Sequence, residues 1–109
     1  MMTDREMLEL AAKAAGIEHL SSEYYVSGPE LWDIERKRWW RPLTNDGDAL
    51  RLAAALSMRV DFCSKTGCAA RYGVDCENVI YVLFDANRDL LQASRMAITK
   101  AAAQIGAQM

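Results

Sequence analysis

Apolar side chains recur every three or four positions toward both ends of this chain and every second position from residue 58 to residue 62, so helices should flank a short sheet. Thr3-Asp4-Arg5-Glu6 has the Ser/Thr-x-x-Glu form of a capping box, in which hydroxyl and carboxylate each satisfy a backbone N–H at a helix start. Met7, Leu8, Leu10, Ala11, Ala14 and Ala15 continue it as one apolar stripe, and Gly16 followed by Ile17 suits a left-handed cap. A first helix is expected over residues 4–15. Pro42 turns Arg41 away from helical dihedrals, Thr44, Asn45 and Asp46 are each good N-caps, and Asp46 and Asp48 suit the positive end of a helix dipole. Ala49, Leu50, Leu52, Ala53 and Leu56 then form the expected buried face of a second helix reaching Leu56 or Ser57.

Met58, Val60 and Phe62 alternate with Arg59, Asp61 and Cys63, the period of a strand with one face on the core. Lys65-Thr66-Gly67 reads as a turn, Cys68 to Tyr72 as the return strand and Gly73 to Asn78 as a second turn. Val79-Ile80-Tyr81-Val82-Leu83-Phe84 is the strongest strand signal, and its nearly unbroken apolar character predicts a central strand covered on both faces. Asp85 or Asn87 can cap a last helix, in which Leu91, Ser94, Ala97, Ile98, Ala101 and Ile105 form the stripe and Gly106 marks the end. Ala101-Ala102-Ala103 makes a small-residue surface that permits close packing. Between His19 and Trp39 two readings stay open. Tyr24-Tyr25-Val26 favours a strand that Ser27-Gly28-Pro29 breaks, and Leu31, Trp32 and Ile34 alternate imperfectly with Asp33 and Glu35, as a short strand or an irregular insert would.

One-sided strands and striped helices each need a cover, so the expected class is α+β in the order α-β-α-β-β-β-α, with about three helices on a small antiparallel or mixed sheet of roughly three or four strands. The 109 residues, 51% of them hydrophobic, form one expected domain over residues 1–109, long enough to bury roughly two thirds of its unfolded surface. A net charge of -2 and a pI near 5.3 give no overall attraction for nucleic acid or anionic lipid. Met1 to Glu6 lacks the pattern of a secretory signal and no apolar run reaches membrane-spanning length, so a cytoplasmic location and no membrane partner are expected. Cys63, Cys68 and Cys76 are an odd set suited to free thiols, although a hairpin is expected to let Cys63 and Cys68 face each other.

The segment Trp40-x-Pro42-Leu43-x-x-Asp46-Gly47-Asp48-Ala49-Leu50-Arg51-Leu52, with Arg95-x-Ala97-Ile98-x-x-Ala101-Ala102-Ala103-x-Ile105-Gly106, resembles small phage and prophage proteins of unknown function, the NinX-like and phage ABA-sandwich group. The likeness covers half of the chain by residues and most of it by element order, and is weaker across Ser21 to Arg38. It implies an accessory product of a bacteriophage acting in the host cytoplasm, and it implies no catalytic residues.

The chemistry in the chain is concentrated in Arg36-Lys37-Arg38-Trp39-Trp40-Arg41, with Trp32 and Tyr24-Tyr25 nearby. Arginine forks onto phosphate and aromatic rings stack on bases, so Tyr24, Arg36, Arg38, Trp39, Trp40 and Arg41 are the candidate ligand-binding set. The competing reading places one Trp in the core beside Pro42 and leaves the cations as a solvated face. Thr44 to Asp48 lacks the length and the distal Glu of a calcium loop, and the three cysteines with the single His19 follow no zinc-finger spacing. No metal, no cofactor and no catalytic residues are expected. The favoured function is therefore non-enzymatic binding, to a host or phage protein or to a second copy. The alternative is sequestration of a nucleotide-like small molecule, and DNA is disfavoured by the acidic pI.

Overall fold

The computed structural model describes residues 2–17, 20–21, 31–63, 65–84 and 89–109. They form α1 (Asp4–Ala15), β1 (Leu20–Ser21), β2 (Leu31–Asp33), β3 (Arg38–Trp40), α2 (Asp46–Ala55), β4 (Arg59–Cys63), β5 (Gly67–Tyr72), β6 (Asn78–Leu83) and α3 (Leu90–Ala107). The class is α+β in the expected order, with the strands divided between two antiparallel sheets, β1-β2-β3 and β4-β5-β6. No helix of the described residues is long and apolar enough to cross a membrane. The strand readings at Tyr24 to Val26, the break at Ser27 to Pro29, and the caps proposed at Asp85 and Asn87 lie outside the described residues.

Local chemistry sets the helix ends. Thr3 accepts from the Glu6 N–H at 3.1 Å, and its hydroxyl donates to the Glu6 carboxylate at 3.0 Å, so the reciprocal bond of the capping box goes to the hydroxyl instead of the backbone. At the other end Gly16 takes φ 74° and Ile17 N–H returns to Ala12 C=O at 3.0 Å, placing Ile17 on the core. Of the three possible caps for α2 it is Asn45 whose side chain accepts the Asp48 N–H, at 2.9 Å. Asp89 caps α3 by accepting from Gln92 N–H at 3.0 Å.

Helix α3 is the centre of the molecule. One face, Ala93, Ala97 and Ala101, lies on the small residues Cys68 and Ala70 of β5, with Tyr72 at the end of the row. The opposite side, Ile98 and Ala102, joins Leu8, Ala11 and Ala12 of α1, Ala49, Leu52 and Ala53 of α2, and Leu31 and Trp40 of the hairpin. Buried Ser94 and Thr99 satisfy their hydroxyls on the carbonyls one turn back, Leu90 and Arg95, at 2.7 and 2.8 Å. Gly106 lies within α3 and does not end it: a Cβ there would stand 1.9 Å from the Leu10 carbonyl oxygen, so the hydrogen of glycine lets α1 and α3 touch backbone to backbone.

Five expectations of placement change. The central strand is β5, and the Val79 to Leu83 run is an edge strand, because in a meander joined by two tight turns the middle strand is the second one. Its apolar character reflects an outer row, Val79, Tyr81 and Leu83, that stays 45–66% exposed. Cys63 and Cys68 do not face each other: Cys63 pairs with Gly67 and Cys68 with Phe62, so the pleat sends the thiols to opposite faces, one exposed and one buried. Phe62 is on the helix side of β4 but overhangs the end of that cover, and Leu50 and Leu91 likewise stand at the margins of their helical stripes.

Candidate functional site

Of the undecided stretch before Trp40, residues 31–40 fold as a hairpin. Leu31, Trp32 and Asp33 of β2 pair with Trp40, Trp39 and Arg38 of β3, and Lys37 closes the turn at φ 55° with its N–H on the Asp33 carbonyl at 2.8 Å. Alternation then divides the basic-aromatic set. Arg38 and Trp40 point to one face, while Trp39 points to the other and meets Trp32 edge to face at 5.2 Å. Trp40 is 7% exposed and Pro42 is fully buried, so one tryptophan does fill the core at the approach to α2.

Arg36, Arg38 and Trp40 line a cavity of about 310 Å³ at the mouth of the hairpin, together with Arg51 and Leu52 of α2 and Ile17 after α1. Arg41 contributes its backbone N–H to this corner, donated to Asp48 at 2.9 Å, while its side chain stays exposed. Tyr24 and His19 lie outside the described residues.

Two buried carboxylates organise the cations. Asp48, 2% exposed, accepts from Arg38, from Arg51 at 2.7 Å and from the Arg41 N–H, tying β3 to the first turn of α2. Asp33, also 2% exposed, accepts from the Arg36 guanidinium and the Arg36 N–H, both at 3.1 Å. Burial pushes the Asp33 carboxyl up, but the backbone and side-chain bonds from Arg36 outweigh it and hold the group below the usual carboxylate range. Three guanidiniums thus share one corner with two carboxylates, and all three arginine side chains remain partly exposed.

Asp33, Asp48 and Arg51 were outside the candidate set read from the sequence. The signal that could have found the last pair is the Asp-x-x-Arg spacing at the start of α2, which stacks residues 48 and 51 on one helix face. Arg36 and Arg38 are accordingly held by carboxylates on a face that Trp39 does not share, while the Lys37 and Arg41 side chains stay exposed.

A second, apolar cleft of about 240 Å³ opens between α2, β4 and α3. Ala49, Val60 and Ile98 form its floor, and Leu50, Phe62 and Leu91 surround it at 68, 61 and 55% exposure. Its polar edge is the Arg95–Asp46 ion pair, in which Arg95 also donates to the Leu43 carbonyl at 3.0 Å.

The thiols differ by setting. The Thr66 hydroxyl, with the backbone N–H groups of Lys65 and Thr66, lowers Cys63, whereas burial raises Cys68. Among the described residues no three of His, Cys, Asp and Glu come together as a metal-binding group. No protein-family model, no curated protein and no solved structure matches this chain.

Proposed function

We propose that this chain is a non-catalytic accessory protein of a bacteriophage that works in the host cytoplasm by docking a host or phage protein on the apolar cleft between α2, β4 and α3. The observation that carries this reading is the convergence of Leu50, Phe62 and Leu91 on one cleft, each more than half exposed. Scattered apolar residues are ordinary on a protein surface, but a contiguous group around a concave floor with a charged edge has the make-up of a protein interface. A partner that inserts an apolar side chain would cover all three and stay in register through the Arg95–Asp46 pair. The phage setting is supported by the resemblance of the Trp40 to Leu52 segment and of the end of α3.

The test is a photo-crosslinking residue placed at Leu50 in the bacterial host. One discrete adduct is expected, and it should disappear when Phe62→Asp is introduced, since filling the same cleft with a carboxylate removes the apolar contact. No adduct, or one indifferent to Phe62→Asp, overturns the reading.

The Arg36, Arg38 and Arg51 corner supports a second reading, a site for a nucleotide-like anion, because the guanidiniums outnumber the carboxylates that fix them. Trp40 is held in the core and Trp39 faces the other way, so phosphate and not base stacking would supply the affinity. In titration against inorganic phosphate and a nucleotide panel, any binding found should fall about tenfold or more in Arg36→Ala/Arg51→Ala, the loss of charge-assisted hydrogen bonds. No binding by the wild type, or equal binding by the double variant, removes this reading.

A further inference from the structure

Strand β6 is one of the two edges of the sheet β4-β5-β6 and, among the described residues, pairs only with β5. Its backbone polarity can be read. Phe84 N–H donates to the Thr66 carbonyl at 2.9 Å, and antiparallel partners alternate in bonding, so the even residues of β6 bond toward β5. The N–H and C=O groups of Val79, Tyr81 and Leu83 therefore point out of the sheet at the free edge. A strand of this kind is usually protected by charge, proline or a bulge. Asn78 to Leu83 has none of these, whereas β4, at the other edge, carries Arg59 and Asp61 as an ion pair at 3.2 Å.

We propose that β6 pairs with β6 of a second copy, antiparallel and centred on Tyr81, joining the two sheets across a two-fold axis. The strand is its own complement in that register: Tyr81 meets Tyr81, Val79 meets Leu83 and Ile80 meets Val82, so no charge opposes another and apolar side chains match on each face. Because the outward amides belong to residues 79, 81 and 83, each of these pairs exchanges both of its backbone bonds. Tyr81 is bonded through its hydroxyl to Thr66, on the β5 side, which draws its ring away from the edge. On the helix side Ile80 borders a groove of about 430 Å³ lined by Met2, Met7 and Met96, flexible side chains that adapt to a second apolar face. Asp4 and Lys100 border the same groove, and their opposite charges suit a symmetric copy. This surface is distinct from the cleft at Leu50 and Phe62, so dimerisation and partner docking fail or survive separately.

Sedimentation equilibrium tests the register itself. The wild type should dimerise. Val79→Lys/Leu83→Lys sets like charges opposite each other twice and should weaken the dimer roughly tenfold or more. Val79→Lys/Leu83→Glu sets opposite charges there and should restore it. Both variants change exposed side chains only, and circular dichroism confirms that they fold. A wild type that is monomeric at every concentration, or two variants that dimerise equally, overturns the proposal.

Discussion

Gly106→Ala is expected to destabilise the protein by about 2–3 kcal/mol, the cost of forcing a methyl into a filled interface, and to lower Tm by about 10 °C. The added carbon would lie 1.9 Å from the Leu10 oxygen and 2.7 Å from its carbonyl carbon. These atoms belong to the α1 backbone and cannot rotate aside, so the helices must separate or the last turn of α3 must unwind. Either change exposes part of the surface that Leu8, Ala11 and Ala12 now bury. The sign is what makes the substitution informative. On helix propensity alone, replacing an interior glycine by alanine stabilises by about 1 kcal/mol. Denaturant unfolding that shows Gly106→Ala equal to or more stable than the wild type would contradict the close approach of α1 and α3.

Asp48→Ala should cost about 3 kcal/mol, because it removes the acceptor of three donors and leaves the Arg41 N–H without its partner. The effect falls on the joint between the hairpin and α2. Arg38 and Arg51 can turn to water, since their side chains are 42 and 62% exposed, and that limits the loss. For the same reason Arg51→Ala should change stability by under about 0.5 kcal/mol, because the guanidinium is largely solvated and Asp48 keeps Arg38 and the Arg41 N–H. The contrast between the two variants is the check: equal effects in chemical denaturation would mean that the Asp48 carboxylate is not the centre of the network.

Much of the fold was legible in the sequence where one local rule had no competitor. Thr3 to Glu6, Gly16 and the Met7 to Ala15 stripe define α1 to the residue, because capping chemistry and helical period point the same way. The two hairpins of the second sheet follow from alternation and turn residues. What failed was inference from apolar character to position in the sheet. Val79 to Leu83 reads as central, but its outer row is apolar without being covered, and hydrophobicity cannot distinguish a covered face from an exposed one. The split between Trp39 and Trp40 was legible in principle once residues 38–40 were taken as a strand, since neighbours must face apart. The roles of Asp33 and Asp48 were not, because burial of a carboxylate depends on guanidiniums brought from other elements. The apolar cleft was illegible for the converse reason. Leu50, Phe62 and Leu91 satisfy the local patterns of core residues, and only the ends of three packed elements decide that they stand at the surface.

The central claim is that this protein binds through that cleft. Its most direct test is the dissociation constant of the purified partner identified by crosslinking at position 50, measured for the wild type and for Phe62→Asp. The claim predicts a loss of about thirtyfold or more, the usual effect of removing an aromatic anchor from the centre of an interface, with unchanged folding of the variant. Equal affinity for both proteins would contradict it.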